Sequence, residues 1–209
     1  MSVEIRQLGG SRREILRYVK FGIRLYDGNP CYVPPLVLDE VATLSPDKNP
    51  AFEHCSAAMF MAYRDGKPVG RITAIINELV NEHPGSKTLR FGWVDFTDDA
   101  KVVDALFGAA ESWGRARGCT IMLGPMGFSD MDHEGMLIEG FDEMGTMATI
   151  YNYPYYKDHM ERMGFSKDVD WVEYRITIPK EIPERHRRIA EIVARKYSCT
   201  MCMASAARN

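Results

Sequence analysis

The strongest constraint on the fold of this 209-residue chain is a pair of apolar runs joined by a tight turn. The runs are CSAAMFMAYR (55–64) and PVGRITAIIN (68–77), with Asp65, Gly66 and Lys67 between them. Asp-Gly between two apolar runs is a strong hairpin signal, because the turn needs residues that tolerate a left-handed backbone. The sequence therefore predicts two antiparallel strands joined directly to each other.

A strand, a helix and a second strand follow this hairpin. TLRFGWVDF (88–96) reads as a strand, and residues 99–116 place apolar side chains on one helical face before Gly118. CTIMLGP (119–125) is a short apolar run with the length of a buried strand. Strand, helix and strand in this order predict a right-handed crossover in which the two strands pair in parallel.

Local signals predict the remaining elements. Ser11 and Glu14 have the spacing of a capping box at the start of a helix over about 12–26. The other predicted elements are an edge strand at 3–8, a short helix at 35–43, a late helix closed by Gly164, a final strand at 168–178 and a basic tail helix at about 183–196. The last residues resemble the start of another strand, which suggests the first part of a longer protein.

Composition limits the classes of function. With 45% hydrophobic residues the chain is long enough for one good core, and a net charge of −3 indicates neither a nucleic-acid partner nor an anionic membrane. The N-terminus lacks the apolar run of a secretory signal, and the longest apolar runs are far too short to span a bilayer. Five scattered cysteines favour reduced thiols in a cytoplasm, and the pair Cys199 and Cys202 is more simply two thiols than a zinc or redox site.

Two segments carry a resemblance to a known superfamily. DGKPVGRITAIIN (65–77) looks like the second hairpin of the GCN5-related N-acetyltransferases (GNAT), and YYKDHMERMGF (155–165) is similar to their late helix. The resemblance covers about residues 1–178. It implies an α/β (α+β) fold class, a GNAT-like mixed, mostly antiparallel central sheet flanked by helices on both faces.

Within this superfamily the chain more closely resembles a little-characterised bacterial group. The segments that carry this likeness are YVPPL, DKNPAF, GPMGFS and YNYPYY. Chains of that group are longer and have a pair of such domains. The resemblance therefore implies a GNAT-like domain at 1–178 and the start of a second domain at 179–209. Some relatives are linked to the acylation of long-chain amines in lipid synthesis.

The resemblance also implies a reaction and a binding mode. The reaction is transfer of an acyl group from acetyl-CoA or a longer acyl-CoA to an amine. Pantetheine would lie between two splayed strands, 91–96 and 120–125, and the pyrophosphate would sit on backbone amides at the helix N-terminus, 97–102. The implied cofactor-binding residues are Trp93, Val94, Asp95, Phe96, Thr97, Ala100, Lys101 and Asn152.

The turn before the crossover helix departs from the glycine-containing phosphate loop of the superfamily. Asp98 and Asp99 add negative charge where two phosphates would sit, and a Cβ at each position crowds the approach. The alternative is that Thr97 or Asp98 is the N-cap and that the acidic residues complement the helix dipole. The sequence favours this capping role over a phosphate site.

The general acid of the superfamily is also absent from its usual position. Many members place a tyrosine four residues before the glycine that ends the late helix, where it protonates the leaving thiolate, and Met160 stands there in this chain. Tyr155 and Tyr156 lie about one helical turn earlier, and either is a candidate if the helix is shifted. The alternative for both is packing with a satisfied hydroxyl.

The connection 126–150 is longer than the superfamily needs, and long ordered loops in compact domains are usually functional. Within it, Asp132, His133 and Glu134 are candidates for the base that takes a proton from the attacking ammonium. The alternative is a solvated turn, and one histidine among acids is not a metal-ligand pattern. The glycines and methionines of the connection suggest a mobile apolar lid, although core filling explains the methionines equally well.

Two hypotheses from different classes remain. The first is an acyl-CoA-dependent N-acyltransferase acting on a small-molecule amine, with a long-chain or lipid amine included. The second is a non-catalytic GNAT-like domain that serves ligand binding or domain pairing, and Asp98, Asp99 and Met160 favour it. Transfer from aminoacyl-tRNA is disfavoured because the sequence shows no basic channel. Peripheral lipid contact, and a homodimer through the surface that a second domain would cover, are both left open.

Overall fold

A computed structural model describes residues 2–82 and 87–200 of the chain. The chain divides into two units, Met1–Val169 and Asp170–Asn209. The five strands that the structure describes, and the helices up to residue 162, lie in the first unit. The predicted domain boundary at residue 178 stays a prediction.

One five-stranded sheet forms the frame of the first unit. Its strands are β1 (Glu4–Gln7), β2 (Cys55–Arg64), β3 (Lys67–Asn77), β4 (Thr88–Phe96) and β5 (Ile121–Leu123). They lie side by side in chain order, with antiparallel pairing from β1 to β4 and parallel pairing between β4 and β5. The predicted hairpin is confirmed as β2 and β3, and the predicted parallel pair as β4 and β5.

Helices are packed against the sheet. They are α1 (Arg12–Leu25), α2 (Val37–Thr43), α3 (Glu78–Asn81), α4 (Ala100–Arg115) and α5 (Tyr155–Arg162), with a short 3-10 helix at Pro50–Glu53. The predicted capping box at the start of α1 is confirmed: the Ser11 hydroxyl accepts from the Glu14 N–H, and the Glu14 carboxylate accepts from the Ser11 N–H. This reciprocal pair satisfies amides that the first turn of a helix leaves without partners.

Two apolar clusters hold the layers together, one on each face of the sheet. Side chains of β3 alternate between the faces, so that Ile72 and Ile76 join one cluster and Ile75 joins the other. The first cluster contains Leu106 of α4 and the second contains Ile15 of α1, both without measurable exposure. The predicted fold class, a mostly antiparallel sheet with helices on both faces, is therefore confirmed.

The final strand predicted at 168–178 is wrong, because these residues have no regular secondary structure. A strand needs backbone hydrogen bonds to a neighbour, and the five described strands pair with one another. An alternating apolar pattern does not by itself supply such a partner. The second unit contains α6 (Glu184–Tyr197), close to the predicted tail helix. The strand start predicted beyond it falls mainly on 201–209, outside the described residues.

The state of the cysteines can be compared with the expectation of reduced thiols. Cys31, Cys55, Cys119 and Cys199 are free thiols, and Cys202 lies outside the described residues. Burial raises the pKa of the Cys55 and Cys119 thiols, which makes both poor nucleophiles. Within residues 2–82 and 87–200, no helix has the length and apolar composition needed to cross a bilayer.

Candidate functional site

An irregularity in β4 shapes the site. Arg71 of β3 pairs with Asp95 while Thr73 pairs with Gly92, so β4 carries one residue more than β3 over this stretch. Trp93 lies within the extra length and has a positive φ of 44°, a conformation that is rare for a bulky residue. Such a bulge bends its strand and redirects the side chains that follow it.

Strand β4 also loses its second neighbour at this point. The described pairing with β5 ends at Arg90 and Leu123, although the Met126 N–H still donates to the Phe91 carbonyl at 2.8 Å. A Cβ on Gly92 would lie 2.5 Å from the Met126 carbonyl oxygen, so only glycine permits this close approach. Beyond Gly92, β4 continues to its end with no β5 residue paired to it, in agreement with the predicted separation of these strands.

Two tyrosines of α5 bind the β4 backbone in the resulting gap. The Thr97 N–H donates to the Val69 carbonyl, so Phe96, one residue earlier, directs its own N–H and carbonyl away from β3. The Phe96 N–H donates to the Tyr156 hydroxyl at 3.1 Å, and its carbonyl accepts from the Tyr155 hydroxyl at 2.7 Å. Backbone groups that were predicted to hydrogen-bond pantetheine therefore already have protein partners.

Tyr156 also belongs to a buried charged network. Arg71 and Asp95 form an ion pair at 2.7 Å, and each residue is only 8% exposed. The Tyr26 hydroxyl donates to Asp95 at 2.7 Å and lies 2.9 Å from the Tyr156 hydroxyl. Burial is the main cause that raises the pKa of both tyrosines, so both hydroxyls are protonated at neutral pH. These contacts match the packing alternative for Tyr156, and its role as general acid stays a prediction.

A cavity of about 110 Å³ adjoins this network. Its wall contains two carboxylates, a guanidinium and an imidazole among aromatic and apolar side chains. The residues that carry these four groups are Glu40, Asp95, Arg71 and His133. Small-molecule sites commonly have this character, a mostly apolar wall with a few convergent polar groups. The cavity is therefore the candidate functional site.

Glu40 is a cavity residue that sequence reasoning missed. It belongs to α2, and its carboxylate accepts a 2.6 Å hydrogen bond from the Trp93 indole N–H. The two residues are 53 positions apart, and no periodic pattern links them. Tyr26, Tyr32 and Arg71 were missed for the same reason. For Glu40 the only signal in the sequence was an acidic residue in the short helix that was predicted after YVPPL.

The predicted cofactor-binding residues separate into two groups. Trp93, Val94, Asp95 and Asn152 line the cavity, whereas Phe96, Thr97, Ala100 and Lys101 are not part of its wall. Asn152 accepts from the Leu137 N–H at 2.7 Å and donates to the Leu137 carbonyl at 3.1 Å, so it holds the connection before α5 in place. The contact of these eight residues with a cofactor stays a prediction.

The connection between β5 and α5 contains no helix or strand. The Asp132 carboxylate accepts hydrogen bonds from the N–H groups of residues 128 and 129, so it closes a tight turn. Neither Asp132 nor Glu134 lines the cavity, whereas His133 does and is hydrogen-bonded to the Met147 carbonyl at 2.9 Å. The structure favours the turn alternative for Asp132, and the role of either acid as a base stays a prediction.

A carboxylate of the chain itself closes the N-terminus of α4. The N-cap is Asp99, which accepts from the Lys101 N–H at 2.9 Å and is ion-paired with Arg64. The hydrogen bond from Arg64 is the main cause that lowers the pKa of Asp99. A negative charge therefore occupies the place predicted for pyrophosphate. The turn has no glycine to admit phosphates by another path, so they do not fit here.

The prediction of Thr97 or Asp98 as the N-cap is wrong by one or two residues. The Thr97 N–H and hydroxyl both donate to the Val69 carbonyl, at 3.0 and 3.3 Å, so Thr97 is still bound to the sheet. The Asp98 carboxylate lies 2.9 Å from His159 Nε2 of α5. Because both side chains are engaged elsewhere, the helix begins after Asp99.

We expect Asp99→Ala to lower the free energy of unfolding at pH 7 by about 1–2 kcal/mol, because it removes the N-cap acceptor. The folded-state pKa of Asp99 lies below its unfolded value of about 3.9, so this contribution is present above that pH. It is lost as the pH falls through the folded-state pKa. Urea unfolding of both proteins at neutral pH and at about pH 2 measures the difference.

The matched control for this prediction is Glu111→Ala on the same helix. Glu111 belongs to an exposed pair with Arg115, so its removal should change the free energy of unfolding by less than about 0.5 kcal/mol. An Asp99→Ala effect of equal size at both pH values would contradict the capping role of the carboxylate.

The fold that these elements form is GNAT-like. A solved structure of a predicted acetyltransferase with acetyl-CoA from Clostridium acetobutylicum matches 83% of this chain and 96% of its own, with a TM-score of 0.51 and 8% sequence identity. This likeness concerns the fold alone. No family model matches the chain.

Two curated proteins are similar to the chain in sequence. Protein YghO of Escherichia coli (strain K12) is 36% identical over 160 residues, which are 77% of this chain and 41% of that protein. A bacterial ceramide synthase of Caulobacter vibrioides (strain NA1000 / CB15N) is 34% identical over 176 residues, 84% of this chain and 46% of that protein. The chain therefore spans less than half the length of the curated relatives it matches.

Proposed function

We propose that the chain serves the N-acylation of an amine, in which an acyl group passes from an acyl-CoA to a long-chain amine. The observation that carries this proposal is the 34% identity to a bacterial ceramide synthase over 84% of the chain. A ceramide is the amide of a long-chain amino alcohol, so its synthesis joins an acyl group to an amine. The GNAT-like fold supports the same class of reaction. Because one fold can host many different reactions, the chemistry has to come from the residues of the site.

The cavity beside the β4 bulge supports the binding of an amine. Glu40 and Asp95 present carboxylates to it, and carboxylates favour an ammonium over a neutral or anionic ligand. The rest of the wall includes the side chains of Val33, Pro35 and Met136, which suit an alkyl group. A cationic head on an apolar chain combines these two properties.

The phosphates of an acyl-CoA do not fit the junction at 97–102 in this structure. Asp99 fills the helix N-terminus, and two tyrosines occupy the N–H and the carbonyl of Phe96, one of the strand residues expected to bind pantetheine. We therefore propose that other residues hold the CoA part of the donor. The greater length of the relatives supports our proposal that 179–209 begins a second domain, which would be a source of such residues.

A second candidate function is ligand binding without acyl transfer by this unit. The closed helix N-terminus at Asp99 favours it, because the unit then lacks the usual donor site. Met160 favours it as well, since this buried thioether stands where the superfamily places its acid and carries no proton to donate. In this case the cavity would still hold a ligand.

Calorimetry with acetyl-CoA and with a long-chain acyl-CoA separates the two candidates. The proteins compared are the unmodified chain and the variant Asp98→Gly/Asp99→Gly. Binding by the unmodified chain, followed by an amide product in mass spectrometry once a long-chain amine is added, would support N-acylation. Binding gained only in the glycine variant would show that the acids close the site and would support the second candidate. Donor and amine both bound without any amide product would contradict transfer by this chain.

A further inference from the structure

We infer that Glu40 binds the ammonium group of the acceptor and takes its proton before acyl transfer. This inference rests on the proposed function, since it names the recognition group of the same cavity.

The Glu40 carboxylate is held at the β4 bulge. The 2.6 Å hydrogen bond from the Trp93 indole ties it to the residue with positive φ, where β4 no longer has β5 as a neighbour. Glu40 and Trp93 both line the cavity. The carboxylate is therefore fixed at the opening between the strands rather than free to turn into solvent.

The charges in the cavity wall leave one negative charge to be matched. Two carboxylates, one guanidinium and the imidazole of His133 line the wall, and Arg71 forms its 2.7 Å ion pair with Asp95. With His133 neutral, the wall carries one negative charge in excess. The partner that holds Glu40 is a neutral indole, which leaves the charge of the carboxylate in place. A ligand with a single positive charge completes this balance, whereas an anionic ligand would add to the excess.

Aromatic rings in the same cavity wall favour a cation further. Tyr32 and Tyr151 line the cavity with their centroids 6.2 Å apart, and Tyr32 packs on Tyr26 at 4.6 Å. The faces of such rings attract ammonium groups through their negative quadrupole. Burial is the main cause that raises the pKa of the Tyr32 hydroxyl, and the negative charges of Asp95 and Glu40 raise it further. This hydroxyl therefore remains a neutral hydrogen-bond donor.

The size of the cavity assigns it to the head of the acceptor rather than to the whole molecule. Cavities that enclose a drug-sized ligand have roughly 300–1,000 Å³, and this one has about 110 Å³. The segments that precede the wall residues Tyr32 and Thr149 are joined, since the Gly145 N–H donates to the Cys31 carbonyl at 3.1 Å. Leu36 follows the wall residue Pro35, and the Met147 carbonyl is hydrogen-bonded to the wall residue His133. Both side chains are 56% exposed, which provides apolar surface for an alkyl chain that leaves the cavity.

The proton balance of the reaction requires a group such as Glu40. The ammonium first gives one proton to the carboxylate, which frees the nitrogen lone pair. The nitrogen then attacks the carbonyl carbon of an acyl thioester, the C–N bond forms, and the C–S bond breaks. The second proton of the nitrogen goes to the leaving thiolate, so that an amide and a thiol result.

The other ionisable groups of the wall are less suited to this role. Asp95 already accepts from Arg71 and Tyr26, and it is 8% exposed. His133 is positively charged when protonated, so it cannot bind an ammonium in that state, and one ring nitrogen already bonds to Met147. Glu40 is therefore the carboxylate that lines the cavity and, among the described residues, forms no ion pair.

Calorimetry with a medium-chain amino alcohol, kept below its critical micelle concentration and without any acyl donor, tests this inference. We expect the unmodified protein to bind it and Glu40→Gln to bind it about tenfold or more weakly, because a charge-assisted hydrogen bond is lost. The N-acetylated amino alcohol, which has no positive charge, should bind both proteins equally. Glu40→Asp keeps the charge and should retain part of the affinity.

Asp39→Asn is the matched control, since Asp39 is the exposed neighbour of Glu40 on the same helix and is not part of the cavity wall. Its affinity for the amino alcohol should equal that of the unmodified protein. The inference is overturned if the unmodified protein does not bind the amino alcohol, or if Glu40→Gln binds it as tightly as Asp39→Asn does. Binding that depends on Glu40 without any amide product would leave the recognition of the ammonium by Glu40 standing, and would contradict its role as base together with the proposed transfer.

Discussion

Asp95→Ala is expected to lower the free energy of unfolding by about 3–5 kcal/mol, because it leaves the charge of Arg71 buried without a partner. Arg71 and Asp95 are each 8% exposed, so water cannot replace the lost carboxylate easily. The substitution also removes the acceptor of the Tyr26 hydroxyl, which lies in the same buried network. Urea unfolding followed by circular dichroism measures the change.

Two further variants identify the cause of this effect. Asp104→Ala removes an ion pair with Arg162 whose side chains are 55% and 41% exposed, so it should cost at most about 1 kcal/mol. Arg71→Met/Asp95→Leu removes both buried charges and should recover about 2 kcal/mol or more relative to Asp95→Ala. Equal losses for Asp95→Ala and Asp104→Ala would show that burial of the Arg71–Asp95 pair does not increase the cost of breaking it.

Gly22→Ala is expected to have the second largest effect, a loss of about 3 kcal/mol in the free energy of unfolding. A Cβ on Gly22 would lie 2.1 Å from Nη2 of Arg71, so the guanidinium would have to move. Arg71 cannot move freely, because it is bound to Asp95 at 2.7 Å and to the Tyr18 carbonyl at 3.0 Å. The same urea titration measures this loss.

Gly108→Ala provides the control for Gly22→Ala. Gly108 also lies inside a helix, but a Cβ there would meet nothing within 4 Å, so alanine should stabilise the protein by about 0.5–1 kcal/mol through its helix propensity. In an Arg71→Met background the added cost of Gly22→Ala should shrink, because the clash with the guanidinium is gone. A Gly22→Ala variant as stable as Gly108→Ala would contradict the close packing of α1 on Arg71.

Elements specified by neighbouring residues were predictable from the sequence. Asp65 and Gly66 both have positive φ, as the turn of the predicted hairpin requires, and Ser11 with Glu14 begins α1. The crossover helix followed from its apolar spacing. Each of these signals depends on residues a few positions apart, so tertiary contacts were not needed to predict them.

The site was less predictable because its residues come from separate parts of the chain. Tyr26, Glu40, Arg71, Asp95 and Tyr156 belong to different segments, and no motif joins them. Only Asp95 and Tyr156 were among the predicted site residues, and Asp95 was predicted through the resemblance rather than through its ion pair. The convergence depends on the β4 bulge, which a single sequence does not reveal.

At the turn before α4, the sequence predicted the capping role correctly and the capping residue incorrectly. The absence of glycine favoured a capping role over a phosphate site, with Thr97 or Asp98 as the cap, and the carboxylate of Asp99 is the cap. The identity of the cap was wrong because Thr97 continues the contact with β3 and Asp98 binds His159. Both contacts are long-range, so local preference could not rank Asp98 and Asp99.

The most direct test of the account is a crystal structure of the protein with a medium-chain amino alcohol. We predict that the nitrogen lies within hydrogen-bond distance of the Glu40 carboxylate. The Trp93 indole should still be bound to that carboxylate, and the alkyl chain should be directed toward the exposed side chains of Leu36 and Met147. An amino alcohol bound with its nitrogen away from Glu40, or an empty cavity at saturating ligand, would contradict the assignment of this cavity to the amine.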